Sequence, residues 1–123
     1  MTDSQVIRIG TRKSPLAMVQ ATQVLNDLQK STPNHRFEIV GINTLGDQDK
    51  TTSLQELGGK GVFIKALEQE LLTHNVDIAV HSAKDITSKM HPDLDLTGVC
   101  TPTDICDSLV FTNGAKSLSD LPA

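Results

Sequence analysis

Between residues 5 and 11 the chain reads Gln5-Val6-Ile7-Arg8-Ile9-Gly10-Thr11, an alternating stretch rich in β-branched residues. Period-two alternation predicts a half-buried strand. The period then changes. Ser14 followed by Pro15 has the form of a helix N-cap with proline at the first helical position. Ala17, Ala21, Val24 and Leu28 recur on one face at helical spacing, with Leu25 beside them. Ser31-Thr32-Pro33-Asn34 ends this helix. Residues 37–43, Phe37-Glu38-Ile39-Val40-Gly41-Ile42-Asn43, alternate again as a second strand. The polar stretch 44–57, with Gly46-Asp47-Gln48-Asp49-Lys50, exceeds an ordinary connection and predicts a lid or mobile segment. Gly58-Gly59-Lys60-Gly61 leads into a second helix carrying Phe63, Ile64, Leu67 and Leu71 on its apolar side. Further strands are predicted at 77–81, 94–100 and 108–112. Strand–helix–strand–helix–strand alternation predicts an α/β fold, a mostly parallel sheet with helices on both faces.

Composition narrows the partners. The chain has 123 residues, one domain's worth, and a net charge of −4. With no Trp or Tyr and three Phe, it has few rings for stacking on bases, and its acidity opposes a nucleic-acid or anionic-membrane partner. No apolar run is long enough for a transmembrane helix, and Met1-Thr2-Asp3-Ser4-Gln5 lacks signal-peptide character, so a cytoplasmic protein is expected. Cys100 and Cys106 show no CxxC spacing and are expected to be reduced and buried.

Candidate chemistry lies where elements end. Arg12, Lys13 and Ser14 follow the first strand at a helix N-terminus, where free N–H groups and the helix dipole favour an anion. Solvated basic side chains at a capped helix start are the equal alternative. Gly58-Gly59-Lys60-Gly61 has the glycines of an anion nest without Walker A spacing, and a plain loop exit explains it as well. Val80-His81-Ser82-Ala83-Lys84-Asp85 closes the third strand with a cation and a carboxylate. Ligands of open α/β sheets bind beyond such carboxyl ends. Lys84 and Asp85 as an ordinary surface pair is the plainer reading. What favours a site is that three strand or helix ends, each with a cation, would meet on one sheet edge. His81 is expected to be a neutral packed histidine rather than a catalytic one. His35, His74 and His91 are scattered, so no metal site is expected.

Three segments together resemble the porphobilinogen deaminase (hydroxymethylbilane synthase) family: Arg8-Ile9-Gly10-Thr11-Arg12-Lys13-Ser14-Pro15-Leu16-Ala17, Gly58-Gly59-Lys60-Gly61-Val62-Phe63, and Asp77-Ile78-Ala79-Val80-His81-Ser82-Ala83-Lys84-Asp85. The resemblance runs from about Val6 to Ala123. It implies a transferase of tetrapyrrole and haem biosynthesis that joins four porphobilinogen molecules head to tail with loss of ammonia. The family primes this chain on a covalently held dipyrromethane cofactor. Its first lobe is similar to that of a type-2 periplasmic binding protein, which would put residues 1–103 in that lobe and 104–123 in the crossover to a second domain. Carried over by position, Asp85 is the catalytic carboxylate. Arg12, Ser14, Ser82 and Lys84 would hold acetate and propionate groups, and Lys60 and Phe63 would belong to the active-site loop and the helix behind it.

Two departures accompany the resemblance. Asp104-Ile105-Cys106-Asp107 stands where the family reads Asp-Pro-Arg-Asp, and Cys106 is not the family's cofactor cysteine, which lies in its third domain. The chain also stops before that cysteine and before the second domain's arginines, so alone it is expected to lack turnover. The alternative is a non-catalytic anion-binding or interaction module, and an exposed cleft face would favour self-association. A solute-binding lobe of a transport system is disfavoured by the missing signal peptide.

Overall fold

A computed structural model describes residues 5–44, 61–100 and Ser119. The described strands form one sheet: β1 (Val6–Arg12), β2 (Arg36–Ile42) and the short β3 (Ile78–Ala79). Their order is β2-β1-β3, and β1 runs parallel to both neighbours. Helix α1 (Pro15–Ser31) joins β1 to β2, and helix α2 (Gly61–Leu72) precedes β3. The first two strands are offset by one residue from the ranges expected, because their parallel register runs from Val6 opposite Arg36 to Arg12 opposite Ile42.

Register sorts the side chains onto two faces. Gly10 lies between Val40 and Ala79, and Ile9 between Ile39 and Ile78. Neighbouring strand residues point to opposite faces. On the Gly10 face, Ile42, Leu67 and Val76 are buried together, with Val40, Ala66, Leu71 and Ala79 packed against them. This is the α2 side. On the other face Thr11 is buried and its hydroxyl donates to the Ala17 carbonyl of α1 at 3.2 Å. The two helices therefore cover opposite faces, an α/β/α sandwich as the alternating period predicts. At Gly10 the α2-side core closes directly on the strand. A Cβ there would lie 2.9 Å from Ile42 Cδ1 and 3.0 Å from Val76 Cγ2, so no larger residue fits without moving the core.

The predicted caps form. Ser14 is extended (φ −65°, ψ 149°) and its Oγ accepts from the Ala17 amide at 3.4 Å, with Pro15 at the start of α1. Helix α2 ends differently. The Asn75 amide bonds the Glu70 carbonyl at 2.9 Å and the His74 amide bonds Leu71 at 3.1 Å, the paired bonds of a Schellman turn. His74 occupies the left-handed position with φ 60°, where glycine is usual. His74→Gly is therefore expected to stabilise the chain by about 0.5–1 kcal/mol, seen as a higher urea midpoint at unchanged slope. Arg8 reinforces this corner: its Nη2 donates to the His74 carbonyl at 2.8 Å and to Asp77 Oδ1 at 3.2 Å, and its Nε donates to Asp77 Oδ2 at 3.1 Å. Those bonds hold the Asp77 carboxyl below its ordinary value.

The third strand is shorter than the expected 77–81. Only Ile78–Ala79 pair as a strand, although the Asp77 amide bonds the Arg8 carbonyl at 2.9 Å and the Val80 amide bonds Gly10 at 3.0 Å. The chain thus tracks β1 on both sides of the pairing. Residues 94–100 are not a strand, contrary to their alternation. A strand needs a partner edge as well as a pattern, and these residues pair with nothing among the described strands. Leu96 and Val99 are 54% and 82% exposed. Cys100, expected to be buried, is a free, exposed thiol for the same reason. The expected loop 44–57 beyond Thr44, the Gly58–Lys60 segment, strand 108–112 and Cys106 lie outside the described residues.

Candidate functional site

The chain leaves β1 toward β2 on one side, then returns to place β3 on the other. The carboxyl ends of β1 and β3 therefore flank a topological switch point, where open α/β sheets form a crevice. A shallow cleft, open to solvent, lies at this point. Arg12 and Ser14 reach it from the end of β1, and His81, Ser82, Lys84 and Asp85 from the segment after β3. Leu16, Ala17 and Gln20 of α1 form its third wall.

Local structure explains each placement. Arg12 is the last residue of β1, and alternation puts it on the α2 side. There its guanidinium carbon sits 3.7 Å from the centroid of the Phe63 ring, a cation–π contact that joins the start of α2 to the end of β1. Lys13 falls on the opposite face, where its stem crosses Gly41, whose missing Cβ leaves the room. After Val80 the chain tightens into a single 3-10 turn, Ala83–Asp85, with Ser82 at its N-cap position. The Asp85 amide bonds the Ser82 carbonyl at 2.9 Å. This turn brings Ser82, Lys84 and Asp85 to one wall despite their closeness in sequence.

Five of the seven site residues expected from sequence thus line one cleft: Arg12, Ser14, Ser82, Lys84 and Asp85. Phe63 touches Arg12 from behind. Lys60 lies outside the described residues. Among the described residues that line the cleft, Arg12 and Lys84 are cations and Asp85 is a carboxylate, in a chain of net charge −4.

Gln20 is the residue that the sequence reading passed over. Its Oε1 accepts a hydrogen bond from Ser82 Oγ at 2.9 Å, tying α1 to the segment after β3. The available signal was a polar residue inside an apolar stripe, three after Ala17 and four before Val24. His81, expected to pack inside, is half-buried and lines the cleft. Burial holds its imidazole below the ordinary 6.5, with Asp85 opposing that shift and Arg12 adding to it. The unfolded chain therefore takes up this proton more readily than the folded one. The contribution of this group to stability is full above about pH 6.5 and is lost as the pH drops below it, until the folded imidazole also protonates. In urea titrations over that range, His81→Asn is expected to flatten the decline; an unchanged slope against pH would refute the assignment.

Comparison with known proteins bears on what this arrangement serves. Residues 7–123 match the sequence model of porphobilinogen deaminase, dipyromethane cofactor binding domain. The chain belongs to the porphobilinogen deaminase family. It is 42% identical to the porphobilinogen deaminase of Streptococcus sanguinis over 96% of its own length and 39% of the relative's. It is 43% identical to that of Clostridioides difficile, over 94% of its own length and 38% of the relative's. A chloroplastic porphobilinogen deaminase from Euglena gracilis is 42% identical over 96% of this chain and 25% of that protein. The chain spans about two fifths of the length of its bacterial relatives, and the part it matches is their N-terminal portion. Among the described residues of this porphobilinogen deaminase family member, no helix is long and apolar enough to cross a membrane.

Proposed function

We propose that this chain is the porphobilinogen-binding N-terminal lobe of a hydroxymethylbilane synthase, the cytoplasmic transferase that condenses four porphobilinogens head to tail with release of ammonia. The observation that supports this reading is the convergence of Arg12, Ser14, Ser82, Lys84 and Asp85 on one cleft at the β1/β3 switch point. Such a set suits a ligand that carries carboxylates at its rim and N–H groups at its centre.

Arg12 offers a planar fork that grips a carboxylate through two parallel bonds, and Lys84 offers a point charge. Ser14 and Ser82 add hydroxyl donors. Asp85, when ionised, only accepts. It would take hydrogen bonds from pyrrole N–H groups and hold, by fixed charge, the positive charge that develops as ammonia departs. The same donor set fits the dipyrromethane cofactor, whose rings bear the same carboxylate side chains. When bound, that group supplies the pyrrole terminus to which the first substrate is joined. Arg12, Ser14, Ser82 and Lys84 would hold its side chains, and Phe63 would keep the Arg12 guanidinium aimed at the cleft. Residues 1–103 would form the lobe and 104–123 the crossover to a second domain.

Porphobilinogen added to the ¹⁵N-labelled chain is expected to move the amide signals of Arg12, Ser82, Lys84 and Asp85 in a saturable way. Shifts confined to other surfaces, or none at millimolar ligand, would overturn the proposal.

A further inference from the structure

We propose that Gln20 is a positioning residue that controls which way the Ser82 hydroxyl points, and that a carboxylate ligand binds by reversing the hydrogen bond between them. The inference rests on the reading of the cleft as a carboxylate site, and it adds a residue that reading does not use.

Ser82 stands at the N-cap position of its 3-10 turn, yet its hydroxyl makes no cap bond. It donates instead to Gln20 Oε1 across 62 residues of sequence. A hydroxyl has one proton, and a carboxylate offers only acceptors. As arranged, Ser82 would present lone pairs to an incoming carboxylate. The remedy is local. A glutamine amide has two nearly equivalent orientations about its terminal bond. A half-turn puts Nε2 where Oε1 was, so that Gln20 donates to Ser82 Oγ and the serine proton is free for the ligand.

Among the described residues no buried side-chain nitrogen or oxygen lacks a partner in the ligand-free state, and after the half-turn Gln20 Nε2 would take over the bond to Ser82 Oγ that Oε1 now accepts. The reversal therefore exchanges one Gln20–Ser82 bond for another instead of breaking it, which avoids the cost of leaving the pair unmade. In the reversed state the amide donor also polarises the hydroxyl and strengthens its bond to the anion.

The proposal is tested by a double-mutant cycle on the 123-residue chain, with porphobilinogen as the probe and affinity read by NMR titration. In the wild-type chain, Ser82→Ala is expected to weaken binding by about tenfold or more, the loss of one hydrogen bond to a charged group. In a Gln20→Glu background the introduced carboxylate only accepts and keeps the Ser82 proton, so Ser82→Ala should then change affinity less than about twofold. Gln20→Met leaves the hydroxyl unclaimed, and in that background the cost of Ser82→Ala should return. The Gln20 side-chain NH₂ signals should also shift on saturation with porphobilinogen. Equal costs of Ser82→Ala in all three backgrounds would overturn the role of Gln20 while leaving the cleft intact. Absence of saturable porphobilinogen binding by the wild-type chain would overturn the reading of the cleft, and this proposal with it.

Discussion

Asp85→Asn is expected to lower porphobilinogen turnover by about a hundredfold or more in a complete deaminase chain carrying this lobe, the scale seen when a group matched to developing charge is removed. The substitution keeps shape and size. Its backbone bond to Ser82 does not involve the side chain, so the 3-10 turn should survive. What changes is the charge. An amide oxygen still accepts from a pyrrole N–H, but it no longer balances a cation forming as ammonia leaves. Binding should move the other way. Asp85 is the one carboxylate among the described residues lining a cleft that also holds Arg12 and Lys84, so removing it relieves repulsion of a carboxylate ligand. Ammonia release by the complete chain, and a porphobilinogen titration of the isolated lobe, measure the two effects. Lost turnover with equal or tighter binding is the signature of an electrostatic catalyst. Unchanged turnover would remove Asp85 from the chemistry and leave only an anion-binding cleft.

The largest effect on stability is expected from Leu67→Ala. Leu67 is 0% exposed and lies between Ile42 and Val76, with Val40, Ala66, Leu71 and Ala79 around it. Truncation removes buried methyl groups and leaves a cavity, a loss of about 2–5 kcal/mol. The site has little room to collapse, because Ile42 and Val76 are already pressed against the Gly10 backbone. A domain of this size is stable by about 5–15 kcal/mol in total, so the variant should lose a large share of it. Urea unfolding followed by circular dichroism gives the number. Leu16→Ala, at a position 59% exposed, should shift the same curve by less than about 0.5 kcal/mol and serves as the reference. A loss below about 1 kcal/mol for Leu67→Ala would mean that the α2 face is not the main core.

Much of this was legible in the chain, and the residues show why. The capped start of α1 at Ser14 and Pro15, the alternation through Ile9 and Thr11, and the apolar spacing of Ile64, Leu67 and Leu71 are local signals that need no partner to be read. Arg12, Ser82, Lys84 and Asp85 stood out because they follow strands or open turns, and the family motifs singled out the same positions. Gln20 did not stand out, because a lone polar residue in a helix gives no sign of which hydroxyl it will meet. The failure at 94–100 has the opposite cause: a good local pattern pairs with no edge among the described strands.

By itself, then, the sequence determined periods, caps and the chemistry offered at each element's end, because these depend on neighbours a few residues apart. The tertiary structure decided which ends meet. Setting β3 beside β1 brings Asp77 to Arg8 across 69 residues, and with it Asp85 to the cleft that Arg12 lines. The parallel order β2-β1-β3, the stacking of Arg12 on Phe63 and the bond from Ser82 to Gln20 are all contacts between distant segments. Their geometry follows from how the described helices pack on opposite faces of one three-stranded sheet, and no local pattern encodes it.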